Sequence, residues 1–379
     1  GGGVSEASSS EAEGAAAAEG AAAAEGAEGP VRGHDSLLAH LSAESALGRL
    51  VRDKLTSEGY VVLRGVLSSD ECDAELERMW RYVSALAPGL VRDEPDSWYP
   101  GEAGGADPWP HSGWKSFSDM FQTHSAGWVF SELREKLASR VFEPLYGTAA
   151  LHASKEGFSF LRPTAGAAGA RHPSHGRQSF VCGQPSQTRG EHFDQGHAES
   201  GLQYIQSSTC LIDQKEGDAC FLCWPRSHTL HQQLTQSTWR GRSHWVPLTD
   251  EELDVMRAAG LAPLRVPVKA GDVVLWRSDL AHSAAPPPEP SPSFRAVSYT
   301  CMLPAALTPA HVAIRKTEAY RQGHTGDHAP DRECWHASKL SEHEERGRGS
   351  FFPDGPPRLT QRQAELYGLM PYGVTATPT

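Results

Sequence analysis

The stretch AGDVVLWRSDLAH, residues 270–282, holds most of the information about the fold. Ala270-Gly271-Asp272 reads as a tight turn, Val273-Val274-Leu275-Trp276 as the buried strand it feeds, and Ser278 to His282 as the exit into a Pro-rich loop. The next strand, from Phe294 to Thr300, places Arg295, Val297 and Tyr299 on one face, because side chains alternate along extended chain. An Arg on an inner face is expensive unless it meets an anion, since an unpaired buried charge costs several kcal/mol. A carboxylate matches its planar fork of donors.

Moving outward, short runs of strand character recur at 202–212, 219–224, 264–268, 272–277 and 294–303. Turn signals separate them: Glu216-Gly217-Asp218, Ala270-Gly271-Asp272 and the Pro-rich 286–292. Many short strands with such punctuation indicate a β-sandwich or jelly roll. Toward the N-terminus a helix is predicted near 43–57, then a strand over Tyr60–Val66. Ser68 and Glu71 form a capping box that opens a helix whose Leu76, Met79, Trp80, Val83 and Leu86 share one apolar face, read as core. Segment 162–190 shows no period; a loop of that length is functional or disordered.

A second stretch, EHFDQGHAESG at 191–201, poses the chemical question. In extended chain His192 and Asp194 share a side and Phe193 points away, so one strand end offers an imidazole nitrogen and a carboxylate oxygen. A 2-His-1-carboxylate facial triad on Fe(II) needs one further His and leaves open positions for a chelating co-substrate and dioxygen. The tripeptide alone is weak evidence in a chain with 18 His. His197-Ala198-Glu199 and His343-Glu344-Glu345 have the same spacing, and a solvated loop is the bland account.

Taken in order, HFDQG (192–196), Trp224-Pro225-Arg226-Ser227-His228, Gly271-Asp272-Val273-Val274-Leu275-Trp276, His282 and Arg295 resemble the phytanoyl-CoA dioxygenase family of Fe(II)/2-oxoglutarate oxygenases. The segment Gly59 to Leu67 with its amphipathic helix is similar to that family's opening, so the resemblance spans roughly 40–310. It implies a double-stranded β-helix, a mainly β jelly roll of cupin type with flanking helices. It implies His192, Asp194 and His282 as metal ligands and catalytic residues, Arg295 as the residue that holds 2-oxoglutarate, and ascorbate as a reductant. The carboxylate at Asp194 favours hydroxylation or desaturation over halogenation. Two departures stand out: Arg226 occupies a position where the family has Gly, so its backbone differs there or an extra cation lines the mouth, and Pro286-Pro287-Pro288 lengthens the loop before Arg295.

The bulk properties set the remaining limits. The chain has 379 residues, 39% of them hydrophobic, and no run long enough for a transmembrane helix. Its net charge is −12, of which six Glu and one Arg in the first 33 residues account for −5. That balance argues against a nucleic-acid partner and for a small or lipid-like organic substrate. Seven Cys at irregular spacing indicate a reducing compartment, so a cytoplasmic location is expected. Cys220 and Cys223 read as buried strand residues rather than as half of a zinc site. Residues 1–33, rich in Ala, Glu and Gly, are expected to be a disordered tail, 34–310 the oxygenase domain, and 311–379 an extension that packs on it or acts as a lid.

His197 and Glu199 touch substrate or face solvent. Trp98, Trp109 and Trp114 line a hydrophobic substrate entrance or join the core, with a lean toward the entrance. If the substrate were instead a macromolecule, Arg162, Arg171, Arg177 and Arg189 are the candidates for its groove; a jelly-roll protein that binds without turnover is the other alternative.

Overall fold

Gly271 shows how the chain enters its central strand. It sits at φ +88°, a left-handed conformation open to Gly, and a Cβ there would lie 2.3 Å from the carbonyl oxygen of Leu67. Asp272 completes the turn: its carboxylate accepts from the backbone N–H of Lys269 and Gly65 and pairs with Arg64. The strand so launched, Val273–Arg277, pairs antiparallel with Tyr60–Leu63 on one side and Ile205–Cys210 on the other.

The computed structural model describes residues 36–99, 108–109, 120–121, 124–163, 165, 190–236, 245–321, 324–332, 335–336 and 358–373. In chain order the strands are β1 (Tyr60–Leu63), β2 (Met120–Phe121), β3 (Leu151–Ala153), β4 (Phe158–Leu161), β5 (His192–Phe193), β6 (Ile205–Cys210) and β7 (Cys220–Cys223). They continue with β8 (Val246–Pro247), β9 (Leu264–Val266), β10 (Val273–Arg277), β11 (His282–Ala285), β12 (Arg295–Pro304), β13 (Thr325–Gly326) and β14 (Trp335–His336). A seven-stranded sheet runs β1-β10-β6-β12-β4-β2, with β3 also paired to β12, and a five-stranded sheet runs β8-β5-β11-β7-β9. All of these pairings are antiparallel. The expected jelly roll is the observed architecture.

Strand alternation assigns the layers. Val274 and Trp276 of β10, Val297 of β12 and Cys210 of β6 meet Phe221, Cys223 and Val266 of the five-stranded sheet in one cluster between the sheets. Val273 and Leu275 of β10 and Ala296 of β12 face the other way, into a larger cluster with helix residues. That layer includes the helix Ser69–Leu86, opened by the Ser68/Glu71 capping box, and the helix Ala46–Ser57. Each large apolar side chain buried in this way contributes roughly 1.5–3 kcal/mol. Cys220 and Cys223 are free and buried on β7, and burial pushes the Cys223 thiol up, as expected of small apolar strand residues.

The tryptophans correct one expectation. Trp98 and Trp109 are buried and stack with Trp80, Phe160 and Phe294 in the helix-covered core, with ring centroids 4.9–6.3 Å apart. They do not form a substrate entrance, because Trp80 on the helix Ser69–Leu86 and Phe294 just before β12 draw them inward. Trp114, the tail 1–33 and most of 162–190 lie outside the described residues. Arg162 is also inside: its guanidinium lies 5.3 Å from the rings of Tyr99 and Trp109 and donates to the Trp98 carbonyl, so it offers nothing to a surface groove. The other three groove candidates, Arg171, Arg177 and Arg189, are outside the described residues. Among the described residues no helix is long and apolar enough to cross a membrane.

Candidate active site

Two histidines are brought together by strand register. In the five-stranded sheet β11 lies between β5 and β7, and His282 is the cross-strand partner of His192 on one side and of Cys223 on the other. Their ring centroids are 4.5 Å apart. Just after β5, Asp194 turns back: its N–H donates to the carbonyl of Ser278 at 3.0 Å, which swings the carboxylate between the imidazoles. Asp194 Oδ1 is 3.6 Å from His192 Nε2 and Oδ2 is 3.2 Å from His282 Nε2. Phe193 points away, as the alternation requires, into a cluster with Trp224, Leu234 and Val246.

The tautomers follow from the second ring nitrogens. His192 Nδ1 lies 2.8 Å from the carbonyl of Gly190 and His282 Nδ1 lies 2.9 Å from that of Leu280. A carbonyl only accepts, so each Nδ1 carries a proton and each Nε2 is the nitrogen turned toward Asp194. Burial pulls His192 down to about 4, so it is neutral at pH 7. The same burial pushes the Asp194 carboxyl up, but the neighbouring imidazoles of His192 and His282 outweigh it and hold the group below the usual carboxylate range. Two imidazoles and one carboxylate suit a divalent transition metal. Their donor atoms all lie within 4.8 Å of one another, and among the described residues these three form the group so placed. The residues fit the ion.

Support comes from residues that sequence reasoning did not single out. Gln206 on β6, in the opposite sheet, donates through Nε2 to Asp194 Oδ2 at 2.9 Å. Gln195 shapes the loop after β5: it accepts from Ser278 Oγ at 2.7 Å and donates to the carbonyls of Glu199 and Gly201. The only sequence signal for either was its position, Gln195 inside the HFDQG stretch and Gln206 on a strand otherwise read as core. The rival spacing His197/Glu199 is not part of the donor group; His197 Nδ1 lies 3.3 Å from Thr235 Oγ1, and buried Glu199 pairs with Arg332. His343-Glu344-Glu345 lies outside the described residues.

Arg226 carries the positive φ of the described non-Gly residues, at 68°, so the chain keeps the left-handed turn that Gly favours, with an exposed Arg in it. The turn braces β11 beside His282: Ser227 Oγ accepts from the N–H of Ala281, and the N–H of Trp224 donates to the Ala281 carbonyl. The Pro-rich insertion lengthens a loop and leaves Ala285 paired with Cys220 and Arg295 with Leu161.

Arg295 opens β12 on the inner face and is 2% exposed. Its Nη1 is 3.2 Å from Ser159 Oγ and 3.4 Å from the Tyr299 hydroxyl, and its Nε has no partner. A fully buried guanidinium with neutral neighbours and a spare donor is built to receive an anion.

The family model for phytanoyl-CoA dioxygenase (PhyH) matches residues 55–288. The chain belongs to this family. It is thus a 2-oxoglutarate-dependent dioxygenase, and the match contains all three members of the donor group, with Arg295 just beyond its end. No protein among those with curated descriptions matches the chain. Similar solved structures include the epimerase SnoN in complex with Fe3+, alpha ketoglutarate and nogalamycin RO, at 18% identity over 68% of this chain and 83% of that one, with a TM-score of 0.43. AviO1 from Streptomyces viridochromogenes Tue57 is similar at 18% identity over 67% and 93%, with a TM-score of 0.40. EctD from S. alaskensis, solved with 2-oxoglutarate and 5-hydroxyectoine, is similar at 14% identity over 75% and 86%, with a TM-score of 0.45.

Proposed function

We propose that His192, Asp194 and His282 hold Fe(II), that Arg295 holds the distal carboxylate of 2-oxoglutarate, and that the protein hydroxylates or desaturates a small or lipid-like organic molecule. The observation that carries this reading is the approach of one donor atom from each of two imidazoles and one carboxylate to within 4.8 Å of one another. When bound, iron and 2-oxoglutarate would supply the oxidising power: dioxygen is consumed, succinate and CO2 are released, and the substrate loses two electrons, either as one C–H bond converted to C–OH or as two C–H bonds lost with formation of water.

The protein's own residues position and insulate. The carbonyls of Gly190 and Leu280 lock the imidazole rings, and Gln206 fixes the carboxylate so that Oδ1 is the freer oxygen. Trp276 and Phe221, 5.3 and 5.8 Å from the His282 ring, wall the site with apolar surface and keep water from its side of the metal position. Arg295, with Ser159 and Tyr299 beside it, orients a dicarboxylate by its far end. The same open guanidinium speaks against a jelly roll that binds without a co-substrate, since a permanently unpaired buried charge brings no stability.

The test is succinate release by anaerobically purified protein given Fe(II), ascorbate, oxygen and 2-oxoglutarate, with His192→Ala alongside. Succinate formed by the wild type and reduced at least a hundredfold in the variant is the expected result. Equal release by both proteins, or none from the wild type together with no 2-oxoglutarate binding by calorimetry, overturns the reading.

A further inference from the structure

The stretch from His324 to Arg332 lies far beyond the family match in sequence, yet it is drawn onto the barrel end that carries the triad. Lys155, buried beneath it, donates through Nζ to the His324 carbonyl at 2.6 Å, and the N–H of Gly326 donates to the Lys155 carbonyl at 3.2 Å. Farther along, the Asp331 carboxylate accepts from the Tyr204 hydroxyl at 2.9 Å, Arg332 pairs with Glu199, and Ala329 packs with Tyr204, Cys301 and Leu303. Tyr204 is the link to the metal position. It exchanges hydrogen bonds with Ser278, donating its N–H to Oγ and accepting the Ser278 N–H on its carbonyl, and the Ser278 carbonyl is the acceptor that turns Asp194 inward.

His328 is the side chain this anchoring delivers. Its ring packs edge-on against Tyr204, centroids 5.4 Å apart, and it is 7% exposed. Its Nε2 is buried and has no hydrogen-bond partner. Leaving such an atom unmade costs about 1–3 kcal/mol, which a bound group can recover. The charged groups that reach it are Asp194, Asp327, Glu156 and Glu199, and they raise its affinity for a proton against the opposing effect of burial. Glu156 itself is pushed up to about 7 by burial, with Ser154 Oγ donating to its Oε1 at 2.6 Å.

We infer that His328 is a substrate-binding residue whose Nε2–H donates to a neutral carbonyl or hydroxyl oxygen of a small polar substrate, holding it beside the His192, Asp194 and His282 site. Charge sets the class: Asp327 on the same segment disfavours an anionic substrate, and the guanidinium of this segment, Arg332, is already paired with Glu199. A purely hydrocarbon substrate leaves Nε2 unsatisfied, which disfavours it by the same penalty that a hydrogen bond would remove. This narrows the substrate class of the dioxygenase reading above, on which it rests.

The experiment measures succinate release by the full chain with Fe(II), ascorbate, oxygen and 2-oxoglutarate in the presence of four probes of one skeleton: cyclohexanone, cyclohexanol, cyclohexanecarboxylate and methylcyclohexane. The two neutral oxygen probes are expected to raise release severalfold over the rate without probe, and the other two to leave it unchanged. In His328→Leu the KM for the active probe rises about tenfold or more, whereas His328→Gln, which keeps a donor, stays within about threefold of the wild type. Stimulation by the carboxylate or the hydrocarbon equal to that by the ketone overturns the inference, as does an unchanged KM in His328→Leu. It also falls if a wild type that turns over without probe responds to none of the four, or if both variants lose KM and melting temperature together, which marks a structural role. No basal succinate and no Mn(II)-dependent 2-oxoglutarate binding bring down the dioxygenase reading itself, and this inference with it.

Discussion

Two buried arginines in the seven-stranded sheet make an instructive pair. Arg277 ends β10, is 4% exposed, and is met two residues later by Asp279, with Nε and Nη2 each bonded to a separate carboxylate oxygen at 2.7 and 2.8 Å. Arg295 begins β12, is 2% exposed, and has a serine hydroxyl, a tyrosine hydroxyl and a spare Nε. The same residue type at similar depth is closed in one place and open in the other. A closed pair supports the strand that carries it; under the proposed function the open cation is the one that takes a co-substrate anion from outside the chain.

Removing the closed pair's acid is the severest way to test that contrast. Asp279→Ala strands Arg277 in the interior and is expected to destabilise the fold by about 3–5 kcal/mol in urea unfolding. The effect also has a pH signature. Burial raises the Asp279 carboxyl, but the hydrogen bonds from Arg277 overcome this and its pKa ends below the ordinary value. The stabilisation is therefore complete above the unfolded carboxyl pKa, about 4, and is lost as the pH falls from there through the lowered folded value. Unfolding free energies that drop as sharply for the variant as for the wild type in this range would show the pair to be idle.

Arg295→Leu sharpens the other half. It should weaken 2-oxoglutarate binding by about 2–4 kcal/mol, roughly 30- to 1000-fold by calorimetry, while the ligand-free protein keeps its stability or gains slightly, because an uncompensated charge has gone. A variant that binds 2-oxoglutarate normally, or that loses as much stability as Asp279→Ala, would make Arg295 a second structural arginine. The smallest effect is expected at a third, exposed arginine. Arg226→Gly relieves a left-handed residue at φ 68°, worth about 1–2 kcal/mol, but gives back much of it as chain entropy in the unfolded state. The net gain should be below about 1 kcal/mol in thermal melts, and a loss would mean that the Arg226 side chain contributes a contact of its own.

The parts of this molecule that were legible in the sequence are those governed by neighbours along the chain. Gly271 and Asp272 announce a turn, the alternation over β12 puts Arg295 and Tyr299 on one face, and Ser68 with Glu71 starts a helix, because each depends on residues a few positions away. His192 and Asp194 were readable for the same reason, although only the order of motifs resembling the family attached His282 to them. What stayed hidden depends on distant pairing. Gln206 meets Asp194 across the two sheets, Trp98 and Trp109 are drawn into the core by Trp80 and Phe294, and His328 arrives on a segment without any period. In each case the local sequence is compatible with several settings, and tertiary contact makes the selection.

The bond between Gln206 and Asp194 has a further consequence, in the dynamics of the barrel. Asp194 is held by its side chain to β6 of one sheet and by its N–H to Ser278, at the crossing between the sheets, while the two histidines sit on paired strands of the other sheet. An ion bound there joins both sheets through a few atoms, so any breathing motion that parts them must also release the ion. Occupancy and opening are then thermodynamically linked, and amide hydrogen exchange at β5, β6 and β11 should slow together on metal binding.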